Sequence, residues 1–198
     1  MKQLPDPIMA LLQRSGVARS SELAVGASRS QITRWVRAGL LMRASRGLYA
    51  LPAARIDENW SLRIVANRSP RAVFCLLTAL RLHGLTTQSP FEVWIALGNK
   101  GHVPRLDHPP IRAIRFSQES LVAGVEELEI NGSHFRVTCI AKTIADCFKY
   151  RSKVGLDVAM EALKDARRKR MASTQDLWEY AQINRVGEVM RPYLEMVE

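Results

Sequence analysis

Residues 28–51 read SRSQITRWVRAGLLMRASRGLYAL, and this stretch decides the fold prediction for the first quarter of the chain. Ser28 is followed three residues later by Gln31, which is the spacing of a capping box at a helix N-terminus. Gly39 has the freedom to end a helix in the left-handed conformation. The sequence therefore predicts a helix from about Arg29 to Ala38.

A basic hairpin is predicted directly after this helix. Leu40 to Arg43 and Gly47 to Leu51 have the composition of two short strands, joined by the tight turn Ala44-Ser45-Arg46. Tyr49 is expected to pack in the core. Such a hairpin behind a helix is a wing, with Arg43 at its base and Arg46 at its tip, placed to reach DNA phosphates.

Two further helices are predicted before residue 28. Ile8, Leu11 and Leu12 recur at helical spacing, and Gly16 ends the pattern. Ser20 and Ser21 then precede Glu22-Leu23-Ala24, a short helix that we expect these serines to cap. Three helices with a tight turn between the last two, followed by a wing, form a winged helix-turn-helix.

The third helix has two different faces. Ile32, Trp35 and Val36 would pack, whereas polar and basic side chains lie opposite. Arg can donate two hydrogen bonds to guanine, and Ser or Thr can contact a base or a phosphate. A solvated helix face is the alternative interpretation. The DNA-binding residues predicted from the helix and the wing are Arg29, Ser30, Thr33, Arg34, Arg37, Arg43, Ser45 and Arg46.

The positive charge is concentrated in the same region. The chain has 29 Lys and Arg against 19 Asp and Glu, a net charge of +10. Residues 1–55 hold nine basic and two acidic residues, giving +7 of that total. A short segment with this excess attracts polyanions, of which nucleic acid is the commonest in a cytoplasm.

Composition and length bound the remaining possibilities. A chain of 198 residues accommodates a small and a medium domain, which we place at residues 1–55 and 56–198. The apolar runs are too short to span a membrane and the first residues lack a signal-peptide core, so we expect a cytoplasmic protein. Three cysteines and four scattered histidines show no ligand spacing, so neither a metal nor a cofactor is predicted.

The second domain is predicted to belong to the α/β (α+β) class, with a mixed helix and antiparallel-sheet arrangement and a helical C-terminal part. Asp57 would cap a helix through Ala66, and Asn131-Gly132 is the strongest hairpin signal. From Ala141 onward the chain is predicted to be helical, with breaks near Gly155, at Ser173-Thr174 and at 184–187. A further helix is predicted at 72–83, and strands at 91–97, 111–116, 125–130 and 134–140.

No catalytic residue is predicted. Glu126, Glu127 and Glu129 have no Lys at the spacing that a metal-dependent nuclease would need, and no phosphate-binding loop or nucleophile elbow is present. Asp146 lies between apolar neighbours, and is either a functional carboxylate or equally a helix residue satisfied by a nearby Arg. The basic run from Lys164 to Arg170 either complements the negative end of a helix or extends a nucleic-acid footprint.

Three segments resemble AbiEi-family antitoxins of type IV toxin-antitoxin systems. TRWVRAGLLMRASRGLYALP at 33–52 is similar to the end of their winged helix. LLTALRLHGLTTQSP at 76–90 resembles their Ser-Ala-Leu-x-x-His-Gly-Leu segment, with Thr78 in place of Ser. FRVTCIAKTIADCF at 135–148 resembles their Val-Thr and Arg-Thr-Leu-x-Asp-Cys segment, with Lys142 in place of Arg. The resemblance extends over roughly residues 5–165.

This resemblance implies a repressor that binds operator repeats in double-stranded DNA upstream of its own operon. It also implies an antitoxin that counteracts a nucleotidyltransferase-like toxin, without stable binding between the two. The alternative is an interaction protein whose basic surface meets RNA or a protein partner. The sequence is compatible with a monomer or with a dimer that forms on DNA, since no heptad run predicts a coiled coil.

Overall fold

The computed structural model describes residues 3–54 and 57–197 and divides them into two compact units. The first unit takes the described residues of Met1–Arg71 with Pro104–Pro110 and Leu128–Phe135. The second takes Ala72–Val103, Ile111–Glu127 and Arg136–Glu198. The predicted domain boundary at residues 55 and 56 lies outside the described residues and stays a prediction. In the part of the chain described, none of the helices has the length and apolar character to cross a membrane.

Three helices and a small sheet form the N-terminal part of the first unit. The helices are α1 (Asp6–Ser15), α2 (Ser20–Leu23) and α3 (Arg29–Arg37), and the strands are β1 (Ala18–Arg19), β2 (Met42–Ser45) and β3 (Leu48–Ala50). The strands lie in the antiparallel order β1-β3-β2. Helix α1 ends at Ser15, and Gly16 follows it as the C-cap with a φ of 72°, in agreement with the prediction that Gly16 ends the helical pattern. The core that joins these elements consists of Leu4, Ile8, Leu12, Ala18, Leu23, Ala27, Ile32, Trp35 and Leu41.

Two local predictions in this region were wrong. Ser20 and Ser21 do not cap α2 but lie inside it, and the Glu22 carboxylate accepts from the Arg19 N–H at 2.7 Å instead. The wing turn is not Ala44-Ser45-Arg46. Ser45 pairs with Leu48 across a bulge, so the turn consists of Arg46 and Gly47, and Gly47 supplies the left-handed φ of 76°.

Asp57 forms an ion pair and does not cap the next helix directly. Helix α4 (Trp60–Arg68) begins three residues later, and Asp57 accepts from the Asn59 N–H at 3.1 Å. Arg63, which is 5% exposed, donates from both terminal nitrogens to the Asp57 carboxylate at 2.8 and 2.7 Å. Its Nε donates to the Ser133 hydroxyl at 3.1 Å. These hydrogen bonds from Arg63, assisted by its charge, lower the pKa of Asp57 despite partial burial.

This ion pair predicts a pH-dependent stability. Because the pKa of Asp57 is lower in the folded than in the unfolded state, its contribution is present above about pH 4 and is lost as the pH falls through the folded-state value. Asp57→Asn is therefore expected to destabilise the protein most at neutral pH, with a difference from wild type that shrinks below about pH 4. Urea unfolding at several pH values measures this difference. A difference that is constant with pH would contradict the assignment.

A five-stranded sheet holds the remaining strands in the order β6-β5-β4-β8-β7. Strand β4 pairs antiparallel with β5 and parallel with β8, and β5 pairs parallel with β6. The α/β class is therefore confirmed, but the sheet is mixed and the prediction of an antiparallel one was wrong. The strands are β4 (Val73–Phe74), β5 (Val93–Gly98), β6 (Ile111–Phe116), β7 (Val125–Ile130) and β8 (Ser133–Thr138).

The hairpin predicted at Asn131-Gly132 is confirmed, and these two residues form the whole connection between β7 and β8. Both residues have positive φ, 51° and 73°, which is the geometry that suits the twist of a tight hairpin. Ser133 is already in β8, so it does not lengthen the loop. The prediction that β8 continues to Ile140 was wrong, because Cys139 is the residue before the next helix.

Helices make up the rest of the second unit. The helix predicted over 72–83 begins only at Leu76, since Val73 and Phe74 form a strand. The long helical region is interrupted at the predicted positions and also at Tyr150. Ser173 caps the helix that begins at Thr174, because its hydroxyl accepts from the Asp176 N–H at 3.0 Å. The helices are α5 (Leu76–Leu82), α6 (Gln118–Val122), α7 (Ile140–Lys149), α8 (Arg151–Val154), α9 (Leu156–Arg168), α10 (Thr174–Ile183) and α11 (Gly187–Glu195).

Candidate nucleic-acid interface

Helix α3 is fixed at its N-terminus by a reciprocal cap. The Ser28 hydroxyl accepts from the Gln31 backbone N–H at 3.3 Å, and the side-chain Oε1 of Gln31 accepts from the Ser28 backbone N–H at 2.8 Å. These two bonds satisfy amides that a helix start otherwise leaves free. The capping box predicted from the sequence is therefore confirmed, and it fixes the start of α3.

The two faces of α3 differ in burial as predicted. Ile32 is 3% exposed and Trp35 is 5% exposed, and both lie in the core of this unit, with Val36 half-buried beside it. The outward face is exposed along the whole helix and carries no acidic residue. Its predicted DNA-binding members are Arg29, Ser30, Thr33, Arg34 and Arg37.

The connection from α3 to the wing is short and hydrogen-bonded. The N–H groups of Leu40 and Leu41 donate to the Trp35 carbonyl at 2.9 and 3.3 Å. Leu41 is buried in the same core as Trp35. The path of the chain from the outward face of α3 into β2 is therefore fixed by backbone bonds and by packing.

Two arginines of the wing are exposed, whereas its serine is half-buried. Arg43 is exposed in β2 opposite Tyr49, and Arg46 is exposed in the turn. Ser45, predicted to contact DNA, is half-buried in the strand. Tyr49 is half-buried and packs against the core, in agreement with the sequence analysis.

The charges of these arginines are not neutralised locally. Within the described residues, Arg29, Arg34, Arg37, Arg43 and Arg46 are all exposed and form no ion pair. Arg29 also lies in the first turn of α3, where the helix dipole is positive and a cation costs about 0.3–1 kcal/mol. This placement lowers stability and raises the positive potential at the start of α3, which favours an anionic partner.

In the second basic segment, Lys164–Arg170, most basic side chains form ion pairs or hydrogen bonds within the protein. Arg168 and Lys169 pair with Asp165 at 2.8 and 3.5 Å. Arg167 donates to the Ala172 carbonyl at 3.3 Å and Lys169 to the Gly84 carbonyl at 3.2 Å. These bonds support the interpretation that the run stabilises the end of α9, and they leave Lys164 and Arg170 as its exposed members without such a bond among the described residues.

The resembled segments of the second unit carry structural contacts. Thr78 accepts from the Trp94 N–H at 2.9 Å, which is a role that a Ser in its place could also fill. The His83 ring nitrogen lies 2.7 Å from the Thr138 carbonyl. Asp146 Oδ1 accepts from Lys142 and from Asn184, whereas the buried Oδ2 has no hydrogen-bond partner among the described residues. The Arg partner considered from the sequence is therefore a Lys.

The cysteines and acidic residues do not assemble into a metal centre in the described part of the chain. Cys75 and Cys147 are buried, and burial raises the pKa of each thiol well above its ordinary value. Cys139 is half-buried at the start of α7. Glu126, Glu127 and Glu129 are exposed along β7.

The comparisons with known proteins agree with the N-terminal assignment. Residues 6–52 match a family model described as transcriptional regulator, AbiEi antitoxin, which confirms the resemblance over these residues. The two later segments that resemble the family lie outside the matched range. No curated protein matches the chain. The fold is similar to the crystal structure of the RV2827C protein from Mycobacterium tuberculosis, with a TM-score of 0.60, 14% identity, and coverage of 96% of this chain and 80% of that one.

Proposed function

We propose that this chain, whose residues 6–52 match the AbiEi antitoxin family of transcriptional regulators, is an autoregulatory repressor that binds operator repeats upstream of its own operon. The observation that carries the proposal is the set of five arginines on α3 and the wing that are exposed and form no ion pair within the part of the chain that the structure describes. Phosphate contacts from the wing would fix the register, and side chains of α3 would reach base edges in the major groove.

The proposal gives the two predicted domains separate roles. Residues 1–55 would bind operator DNA, and residues 56–198 would act as the antitoxin against a nucleotidyltransferase-like toxin without stable contact to it. The protein would bind as a monomer or as a dimer formed on adjacent half-sites, in the cytoplasm where the operator lies. The proposed mechanism uses binding alone and needs no cofactor, metal or catalytic residue.

The first test is a comparison of two DNAs. The full chain is expected to bind its own upstream region on the order of a thousandfold more tightly than unrelated DNA of the same length. Equilibrium titration at two salt concentrations measures both affinities, and the preference for the upstream region should persist at the higher salt, where nonspecific binding is weakened. Equal affinities that collapse together with salt would overturn the proposal in favour of an RNA or protein partner.

A further inference from the structure

We propose that α3 reads guanine through Arg34 and Arg37 and makes no contact with adenine N7. This inference rests on the proposed operator binding and adds the base that the helix selects. The reason is that the other polar side chains at the start of α3 already use their donors or acceptors in hydrogen bonds within the protein.

The hydroxyl groups of α3 have no hydrogen left to donate. A hydroxyl carries one hydrogen, and Ser28 donates its own to the Gln31 Oε1 at 3.0 Å. The 2.9 Å contact between the Ser28 and Ser30 oxygens therefore has Ser30 as the donor. Thr33 donates to the Arg29 carbonyl at 3.0 Å. Ser30 and Thr33 thus have no hydrogen to donate to the N7 or O6 acceptors of a purine, and could only accept from adenine N6 or cytosine N4.

The amide of Gln31 is not free to read adenine. A bidentate contact with adenine requires the amide oxygen to accept from N6 while the amide nitrogen donates to N7. The Gln31 Oε1 already accepts from the Ser28 N–H at 2.8 Å and from the Ser28 hydroxyl. Reading adenine would require the cap of α3 to open.

The guanidinium N–H groups of the two arginines face solvent and remain available to a ligand. Arg34 and Arg37 are exposed, and neither has a hydrogen-bonded or ionic partner among the side chains of the described residues. A guanidinium donates two parallel bonds to guanine O6 and N7. Residues three apart on a helix are separated by about 4.5 Å along its axis. Because base pairs are about 3.4 Å apart, the two guanines are expected one or two base pairs apart.

The experiment uses the full chain and a pool of random DNA duplexes. Selection is expected to enrich a motif that contains two such guanines. Each guanine of the selected duplex is then replaced by 7-deazaguanine, which removes the N7 acceptor and keeps base pairing. We expect about tenfold weaker binding at two guanines, within the range that a bidentate pair contributes. Replacing any adenine by 7-deazaadenine should leave the affinity unchanged.

Two variants test which arginines cause the loss of affinity on 7-deazaguanine substitution. Arg34→Ala should abolish the sensitivity at one guanine and keep it at the other. Arg43→Ala, on the wing, should weaken binding to every duplex and keep both sensitivities. A 7-deazaadenine effect, or no 7-deazaguanine effect in an enriched motif, would overturn the inference while leaving operator binding intact. If no motif is enriched, the proposed function itself fails.

Discussion

Replacement of both Arg34 and Arg37 by Ala is expected to reduce binding of the upstream region to the level of unrelated DNA, a loss on the order of a thousandfold. Both side chains are exposed on α3, and neither supports the core beneath Ile32 and Trp35. The variant should therefore fold as wild type does. Equilibrium titration against both DNAs measures the loss, and circular dichroism confirms the fold.

A matched control separates base reading from bulk charge. Lys164→Ala/Arg170→Ala removes two positive charges from exposed positions in the second unit. It should weaken binding to both DNAs by a similar small factor, because a general loss of charge carries no sequence information. If this control abolished the preference as completely as the α3 variant, α3 would not be the reading element.

The α3 variant also tests whether DNA binding and toxin neutralisation are separate roles. When a nucleotidyltransferase-like toxin is expressed with the α3 variant, toxin neutralisation should be retained although operator binding is lost. If neutralisation is lost together with DNA binding, the basic face of α3 acts on RNA or on a protein partner, which is the alternative that the sequence leaves open.

The winged helix was predictable because its signals are local. The Ser28 and Gln31 pair, the apolar spacing of Ile32 and Trp35, and Gly39 lie within twelve residues and specify α3 without help from distant contacts. The Asn131-Gly132 turn is local in the same way. The position of Arg29, Arg34 and Arg37 on the exposed face follows directly from the helical period.

The errors occur where distant residues decide the structure. Val73 and Phe74 continue an apolar run that suits a helix, but Phe74 pairs with Val137 in β8 and Val73 with Ala96 in β5. Strand β1 has two residues, too few for any periodic signal, and exists through its pairing with β3. Parallel pairing of β5 and β6 could not be predicted either, because adjacent strands in the sequence more often pair antiparallel.

One pairing had a sequence signal that was overlooked. Lys142 and Asp146 are four residues apart in a helical segment, and most of the residues around them are apolar. A separation of four residues is the spacing of an ion pair within a helix. The structure buries both side chains completely and joins them. Lys142 stands in place of the Arg of the resembled segment and supplies the positive charge that Asp146 requires, so this segment serves the core of the second unit.

Asp146→Ala is expected to destabilise the protein by about 3–5 kcal/mol. Lys142 is 0% exposed, and among the described residues its ammonium has only Asp146 and the face of Phe116, 4.6 Å away, to offset the loss of water. Asn184 Nδ2 also donates to Asp146 Oδ1 at 2.7 Å. Removing the carboxylate leaves a buried charge without its counter-ion. Urea unfolding measures the change in free energy.

The control removes the charges together. In Lys142→Met/Asp146→Asn, Met fills the aliphatic space of Lys, and the amide oxygen introduced at position 146 can still accept from Asn184. Because the cost of a buried ion pair arises mainly when one partner is left alone, the double variant should lose much less stability than Asp146→Ala. If both variants lost the same free energy, packing around residue 146 would matter more than its charge. If Asp146→Ala lost less than about 1 kcal/mol, water would have to reach Lys142 in the folded protein.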